Sequence, residues 1–382
     1  MYPVPSLSVM ASERAMILGL IVNPIAGMGG AVGLKGTDGE DILRKAIELG
    51  AKPVAPGRAK EFLKAFEPMK SKVELLAGAG LMGELEALEC DYKPKVFGER
   101  KERTTAQDTK EIAKLMLEHG LDLLVFCGGD GTARDILDAV GQEVPVLGVP
   151  TGVKMHSAVF AVNPKAAARV AMAFLSGELP VREAEVMDVD EEAYRSGRLS
   201  ARLYGYLLTP YEPRLVQSTK IASPITPDEE ENKRAIARQV VEDMEPGVIY
   251  IVGPGTTTRP ILELMGLEKT LLGVDLVCDG KLLAKDANEA EILRLIRGRK
   301  AKIIVTPIGG QGFIFGRGNQ QISPRVIREV GLENIVVVAT KSKLMGLRAL
   351  RVDTGDPELD EALRGYVRVI VDYGEEVVMK VE

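Results

Sequence analysis

The sequence predicts an α/β protein with an N-terminal parallel-sheet domain and a second, mixed α/β domain containing antiparallel hairpins. Three observations predict it. Short β-rich apolar runs alternate with helical periodicity through the first part of the chain, the order that gives a parallel sheet with crossover helices. The run Leu123-Leu124-Val125-Phe126 is apolar without alternation, as a strand covered on both faces requires. Past residue 180 the pattern changes to long alternating segments, the period of antiparallel strands with one solvated face. The chain has 382 residues, more than one hydrophobic core usually serves. Two domains are therefore expected, a nucleotide-binding domain over 1–180 and a substrate-binding domain over 181–382.

In chain order, Ile17 to Val22 reads as a strand followed by helical Glu40 to Leu49. Val73 to Ala77 is followed by helical Leu81 to Leu88, and Leu121 to Cys127 by helical Thr132 to Val140. A helix before the third strand is signalled by Thr105 as its N-cap, Asp108 three residues on, and Gly120 past the last turn. His119 at its end complements the helix dipole, a structural role. Pro164 to Leu175 is a further helix. Glu183 to Val189 and Leu199 to Leu208 form a hairpin through Ser196-Gly197. A charged helix, Asp228 to Met244, follows. Alternation then resumes with Val248 to Val252, Pro260 to Met265, Leu271 to Cys278, Ala287 to Ile296 and Lys302 to Val305. Val367 to Asp372 and Glu376 to Val381 close the chain as a hairpin around Tyr373-Gly374.

Composition narrows the function. With 46% hydrophobic and 27% charged residues, the chain is neither disordered nor fibrous. Its net charge of -6 and lack of a Lys/Arg block argue against nucleic acid as a partner, which needs a concentrated cationic face. The longest early apolar run, Ala15 to Val22, is too short to span a bilayer, so no membrane partner is expected. Cys90, Cys127 and Cys278 lie far apart with no Cys-x-x-Cys spacing, which fits a reducing cytoplasm. Only His119 and His156 are present, which excludes a histidine-rich metal site but leaves room for Mg²⁺ held by carboxylates and substrate phosphates.

The strongest chemical feature is Gly128-Gly129-Asp130-Gly131-Thr132, between an apolar strand and a helix. Glycines let the main chain approach a ligand, and the first amides of the following helix point at an anion such as phosphate. Asp130 stands where open α/β sheets bind ligands, able to organise Mg²⁺ or to accept a proton from an attacking hydroxyl. The alternative is a plain strand-to-helix turn. Two further loops also follow expected strands: Asn23-Pro24-Ile25-Ala26-Gly27-Met28-Gly29-Gly30, and Gly148 to Ser157 with Gly152, Lys154 and His156. Strands of a parallel sheet share one carboxyl edge, so all three loops can surround one ligand. Lys154 can reach a phosphate and His156 can exchange a proton, or each can serve its own loop.

The order Asn-Pro-x-x-Gly, Gly-Gly-Asp-Gly-Thr and Pro-x-Gly-Val resembles the NAD kinase and diacylglycerol kinase superfamily, most closely the ATP-NAD kinase-like family with its AcoX-type members. The similarity continues through Gly253-Pro254-Gly255-Thr256-Thr257-Thr258 and the stretch Pro307 to Phe313. It implies ATP-dependent phosphorylation with Mg²⁺, a small-molecule nucleotide substrate and a homo-oligomer. It also implies Asp130 as base or metal organiser, with Gly128, Gly129, Gly131, Thr132, Asn23 and Gly27 near the nucleotide. At the point corresponding to the Asn-Glu or Asn-Asp dipeptide that holds ribose in NAD kinases no copy is found, and the Pro150 loop lacks the Thr-x-Asn of lipid kinases. NAD, another nucleotide or a sugar therefore remain as acceptors.

In the second domain, Gly255, Thr256 and Thr257, with Arg259 beside them, have the form of an anion loop, or of an ordinary N-cap. The glycine- and amide-rich stretch from Pro307 to Gln321 suits a sugar or base, or a tight hairpin. Asp275, inside an apolar run, is a stronger metal candidate than Asp286, because an unpartnered carboxylate there is costly. The expected function is a small-molecule kinase. A nucleotide-binding regulatory protein and a metal-dependent phosphatase on the same scaffold are the alternatives.

Overall fold

The computed structural model describes residues 15–34, 40–152, 155–189, 201–213, 215–216, 227–308 and 311–382. Its first sheet contains β1 (Met16–Val22), β2 (Val73–Gly78), β3 (Lys95–Phe97), β4 (Leu123–Gly128) and β5 (Val146–Pro150). All its pairings are parallel, in the order β3-β2-β1-β4-β5. The chain steps outward from β1 on one side and from β4 on the other. The β1/β4 boundary is thus a topological switch point, the place where open α/β sheets bind ligands.

Six helices accompany this sheet: α1 (Glu40–Glu48), α2 (Ala55–Ala65), α3 (Glu84–Glu89), α4 (Ala106–His119), α5 (Asp130–Val140) and α6 (Pro164–Leu175). Alternate strand residues serve opposite faces. Leu18, Leu20, Val125 and Leu147 pack with Phe62 and Phe66 of the α2 region and Ala167 of α6. Ile17, Ile21, Leu124 and Phe126 pack with Met116 of α4 and Ile136 of α5. The α4 start is a full capping box, with the Thr105 amide donating to Asp108 Oδ2 at 2.7 Å and the Asp108 amide to Thr105 Oγ1 at 3.4 Å. The helix expected from Leu81 is delayed. Gly83, at φ +131°, separates a 3₁₀ turn (Gly80–Met82) from α3.

The hairpin β6 (Val181–Val189) and β7 (Ala201–Pro210) is antiparallel, and its expected turn at Ser196-Gly197 lies outside the described residues. Ala184, Val186 and Leu207 pack it onto the α4/α5 face of the first sheet.

The second sheet contains β8 (Ile249–Val252), β9 (Asp275–Cys278), β10 (Lys281–Ala284), β11 (Ala301–Val305), β13 (Ile335–Val338), β15 (Gly365–Asp372) and β16 (Glu375–Val381). Between β11 and β15, β12 (Phe313–Phe315) pairs with β14 (Arg351–Val352) as a separate ribbon. The order is β10-β9-β8-β11-β13-β15-β16, parallel from β8 to β15 and antiparallel at both edges. Helices α7 (Pro227–Glu242) and α8 (Arg259–Leu264) pack on one face. On the other lie α9 (Glu289–Ile296) and α10 (Pro324–Val330). Short helices α11 (Lys341–Met345) and α12 (Pro357–Leu363) follow β13 and β14. The strand expected from Leu271 begins only at Asp275, because the preceding turn folds back onto that carboxylate, which accepts the Thr270 amide at 2.7 Å.

The two halves meet through loops. The Glu289 amide donates to Ala31 O at 3.1 Å, and Gln320 Nε2 to Gly152 O at 3.4 Å. Both bonds join a loop beyond the carboxyl ends of the first sheet to a loop at the corresponding edge of the second. Buried beside them, Arg58 Nη1 donates to Asp353 Oδ1 at 2.7 Å and Arg317 Nη2 to Val162 O at 2.5 Å. Among the described residues no helix is long and apolar enough to cross a membrane.

Candidate active site

β4 ends at Gly128, Gly129 is the N-cap of α5, and Asp130 is the first helical residue. Asp130 is buried at 9% exposure. Its Oδ2 accepts the His156 amide at 2.8 Å and its Oδ1 the Ser157 amide at 2.9 Å. The His156 ring comes back to the same carboxylate, with Nδ1 at 3.5 Å from Oδ2. Burial pushes the Asp130 carboxyl up, but the bonds from His156 and Ser157 outweigh it and hold the group below its ordinary value. Asp130 is therefore ionised at neutral pH. Ser157 Oγ accepts the Met187 amide at 2.9 Å, so the β6 strand is fastened to the same segment.

The loop after β1 closes over this point. The Asn23 amide donates to Cys127 O at 2.9 Å, and Asn23 Nδ2 to Thr132 Oγ1 at 3.0 Å. Gly27 sits at φ +81°, and a Cβ there would lie 1.9 Å from Thr151 O, so only glycine lets the first loop reach the third. The Thr151 amide donates to Gly128 O at 3.2 Å, bringing Gly152 beside Gly129. The loops expected to share one edge thus touch one another around Asp130. Gly131 and Thr132 lie in the first turn of α5, whose leading amides have no acceptor within the helix. Lys154 lies outside the described residues.

In the second half, Gly255, Thr256 and Thr257 stand beyond the carboxyl end of β8. Thr258, not Thr256 or Thr257, is the N-cap of α8, and its hydroxyl donates to Gly253 O at 2.8 Å. Thr256 is exposed, whereas Thr257 is fully buried against Lys343. Arg259 turns along its own helix, its Nε donating to Glu263 Oε1 at 2.6 Å. Among the described residues no hydrogen bond links residues 255–257 directly to the Asp130 loops; the glycine-rich stretch makes that link through Gln320.

The acidic candidates resolve into structure. Asp275 is fully buried and pairs with Lys269 Nζ at 3.0 Å, while the Thr270 hydroxyl and the Asp286 amide also donate to it. Among the described residues no group of three His, Cys, Asp or Glu side chains is placed to hold a metal. The chain's own Asn288-Glu289 dipeptide is engaged as well. Asn288 caps α9 by accepting the Glu291 amide at 3.0 Å, and Glu289 accepts the Ser323 hydroxyl at 2.6 Å.

Residues 18–179 match the family model of the ATP-NAD kinase N-terminal domain, and residues 246–381 match that of the ATP-NAD kinase C-terminal domain. The chain belongs to the NAD kinase-like family. Neither curated proteins nor solved structures give a match. As an NAD kinase-like protein it is a phosphotransferase with an alcohol acceptor, in a family that uses ATP as phosphoryl donor. A small-molecule nucleotide substrate fits that family. Asp130 and its three loops fall in the first matched segment and Gly255 to Thr257 in the second, while the β6–β7 hairpin lies outside both.

Proposed function

We propose that this NAD kinase-like chain transfers the γ-phosphoryl group of ATP to a hydroxyl of NAD, or of a related nucleotide or sugar, in a site centred on Asp130. One observation carries the reading: the loops after β1, β4 and β5 close on each other around that carboxylate, at the switch point of the first sheet. The N-terminus of α5, with Gly129, Gly131 and Thr132, suits the phosphates. Asn23, Gly27, Gly128, Gly152 and Lys154 are assigned to the same nucleotide from the first half, and Gly255, Thr256 and Thr257 from the second. In this reading residues 1–180 form the nucleotide-binding domain and residues 181–382 the substrate domain.

In the transfer, the acceptor oxygen bonds to the γ-phosphorus as the bond to the β–γ bridging oxygen breaks, and ADP leaves. Asp130 already accepts two amides and is held ionised, so it is a weak base. In a loose transition state the hydroxyl proton departs late, and a weak base that orients the hydroxyl suffices. Each Asp130 oxygen keeps lone pairs beyond the amide it accepts, so the residue can give Mg²⁺ one ligand while phosphates and water give the rest. Mg²⁺ bound there would neutralise phosphate charge. Three free, buried cysteines are consistent with a reducing cytoplasm as the place of work.

A nucleotide-binding regulator is the second reading, favoured by the backbone amide that each Asp130 oxygen already accepts. The two separate when the protein is incubated with ATP and a panel of hydroxyl acceptors and both ADP and phosphorylated product are measured. A kinase shows product, and Asp130→Asn lowers its rate by roughly 100-fold or more. Tight binding of ATP and NAD with no product from any acceptor would establish the regulator instead.

A further inference from the structure

Building on the kinase reading above, we propose that Thr257, Thr306 and Lys343 form a seat for a phosphate group of the bound nucleotide. The seat lies on the carboxyl edge of the second sheet, the edge whose loops meet those around Asp130. Three parallel strands deliver it: Thr257 follows β8, Thr306 follows β11, and Lys343 follows β13 in α11. Lys343 Nζ donates to Thr257 Oγ1 at 3.1 Å and to Thr306 Oγ1 at 3.4 Å. The two threonines are 0% and 2% exposed. Gly255 packs so closely here that a Cβ on it would lie 2.8 Å from Thr306 Cγ2, and the Thr258 hydroxyl ties down the same turn.

The donor chemistry points to an anion. Among the described residues no carboxylate forms an ion pair with Lys343, whereas neighbouring Lys341 pairs with Asp372 and Glu375, and Lys233 with Glu230. Glu229, the acid that acts on Lys343 through space, accepts the hydroxyls of Thr340 and Ser342. Because Thr257 and Thr306 accept from the ammonium, their own O–H protons remain to be donated, and neither finds an acceptor among the described residues. A partly buried cation flanked by two spare hydroxyl donors offers donors only, the complement of a phosphate oxygen. Burial lowers Lys343 to about 8, with Lys233 adding repulsion and Glu229 opposing it. A bound anion would relieve that cost.

The test measures binding without turnover, so an inactive enzyme does not affect it. Inorganic tripolyphosphate, a non-hydrolysable ATP analogue and NAD are titrated calorimetrically into the wild-type chain and Lys343→Met. Affinity for tripolyphosphate should fall by roughly tenfold or more in the variant. A parallel loss for the ATP analogue identifies the donor phosphates as occupant, and a parallel loss for NAD identifies those of the acceptor. Equal tripolyphosphate affinity in both proteins, or none in the wild type, overturns the seat while leaving the Asp130 reading intact. Thr257→Val and Thr306→Val, which remove a hydroxyl at nearly constant shape, repeat the measurement should Lys343→Met fail to fold. Unchanged tripolyphosphate affinity in both valine variants likewise overturns it.

Discussion

At the scale of single residues, Asp130 holds two loops together and supplies a permanent negative charge. Asparagine in its place keeps one acceptor but turns an NH₂ towards the second amide, which should cost about 1–3 kcal/mol of stability in urea unfolding. Because its folded pKa lies below the ordinary 3.8, Asp130 contributes stability that is present above that value and lost as pH falls through the folded one. The acid limb of the stability curve should therefore flatten in Asp130→Asn. Lys343 gives a pH dependence of the same sign at the other end of the scale. Between about 8 and 10.5 the unfolded chain binds the proton that the folded chain has lost, so stability gains from Lys343 as pH rises through that window. Lys343→Met should remove this rise in denaturation midpoints taken from pH 8 to 10.5. The two residues also differ in how visible they were in the sequence. Gly128 to Thr132 is contiguous and announces itself, whereas Lys343 becomes notable only beside Thr257, 86 residues away.

Whole elements were legible where their ends carry chemistry. The Thr105/Asp108 box fixes the start of α4 as the sequence predicts, and Thr105→Ala should lower stability by about 1 kcal/mol, read as a lower melting temperature. By contrast α2 begins after Val54 with no side-chain cap, and only Pro56 in its first turn marks its start in the sequence. Apolar runs overstate strands where a carboxylate recruits the chain into a turn, as Asp275 does with Thr270. The three carboxyl-end loops were readable from strand order alone, because a parallel sheet puts them on one rim. What the order could not give is their contact distance, which depends on Gly27. Gly27→Ala must push the first loop off Thr151, and ATP affinity should drop together with thermal stability; an alanine variant unchanged in both would show that the loops need not touch.

At the scale of the molecule, the join between the two halves rests on charges far apart in sequence. Arg58 and Asp353 are separated by 295 residues, and no local pattern foretells such a pair. Arg317 Nη2 lies 3.9 Å from the same carboxylate, with all three side chains nearly buried. Asp353→Ala would take a buried counter-charge from both guanidinium groups and should cost about 3–5 kcal/mol in chemical denaturation followed by circular dichroism. The arrangement also bears on how the gene can be cut. A fragment ending at Val216 keeps Arg58 with Glu61 but loses Asp353, its closer counter-ion, and the remaining fragment keeps Asp353 with half of its cationic company. Each piece made alone should precipitate, while the two made together should rejoin as a one-to-one complex.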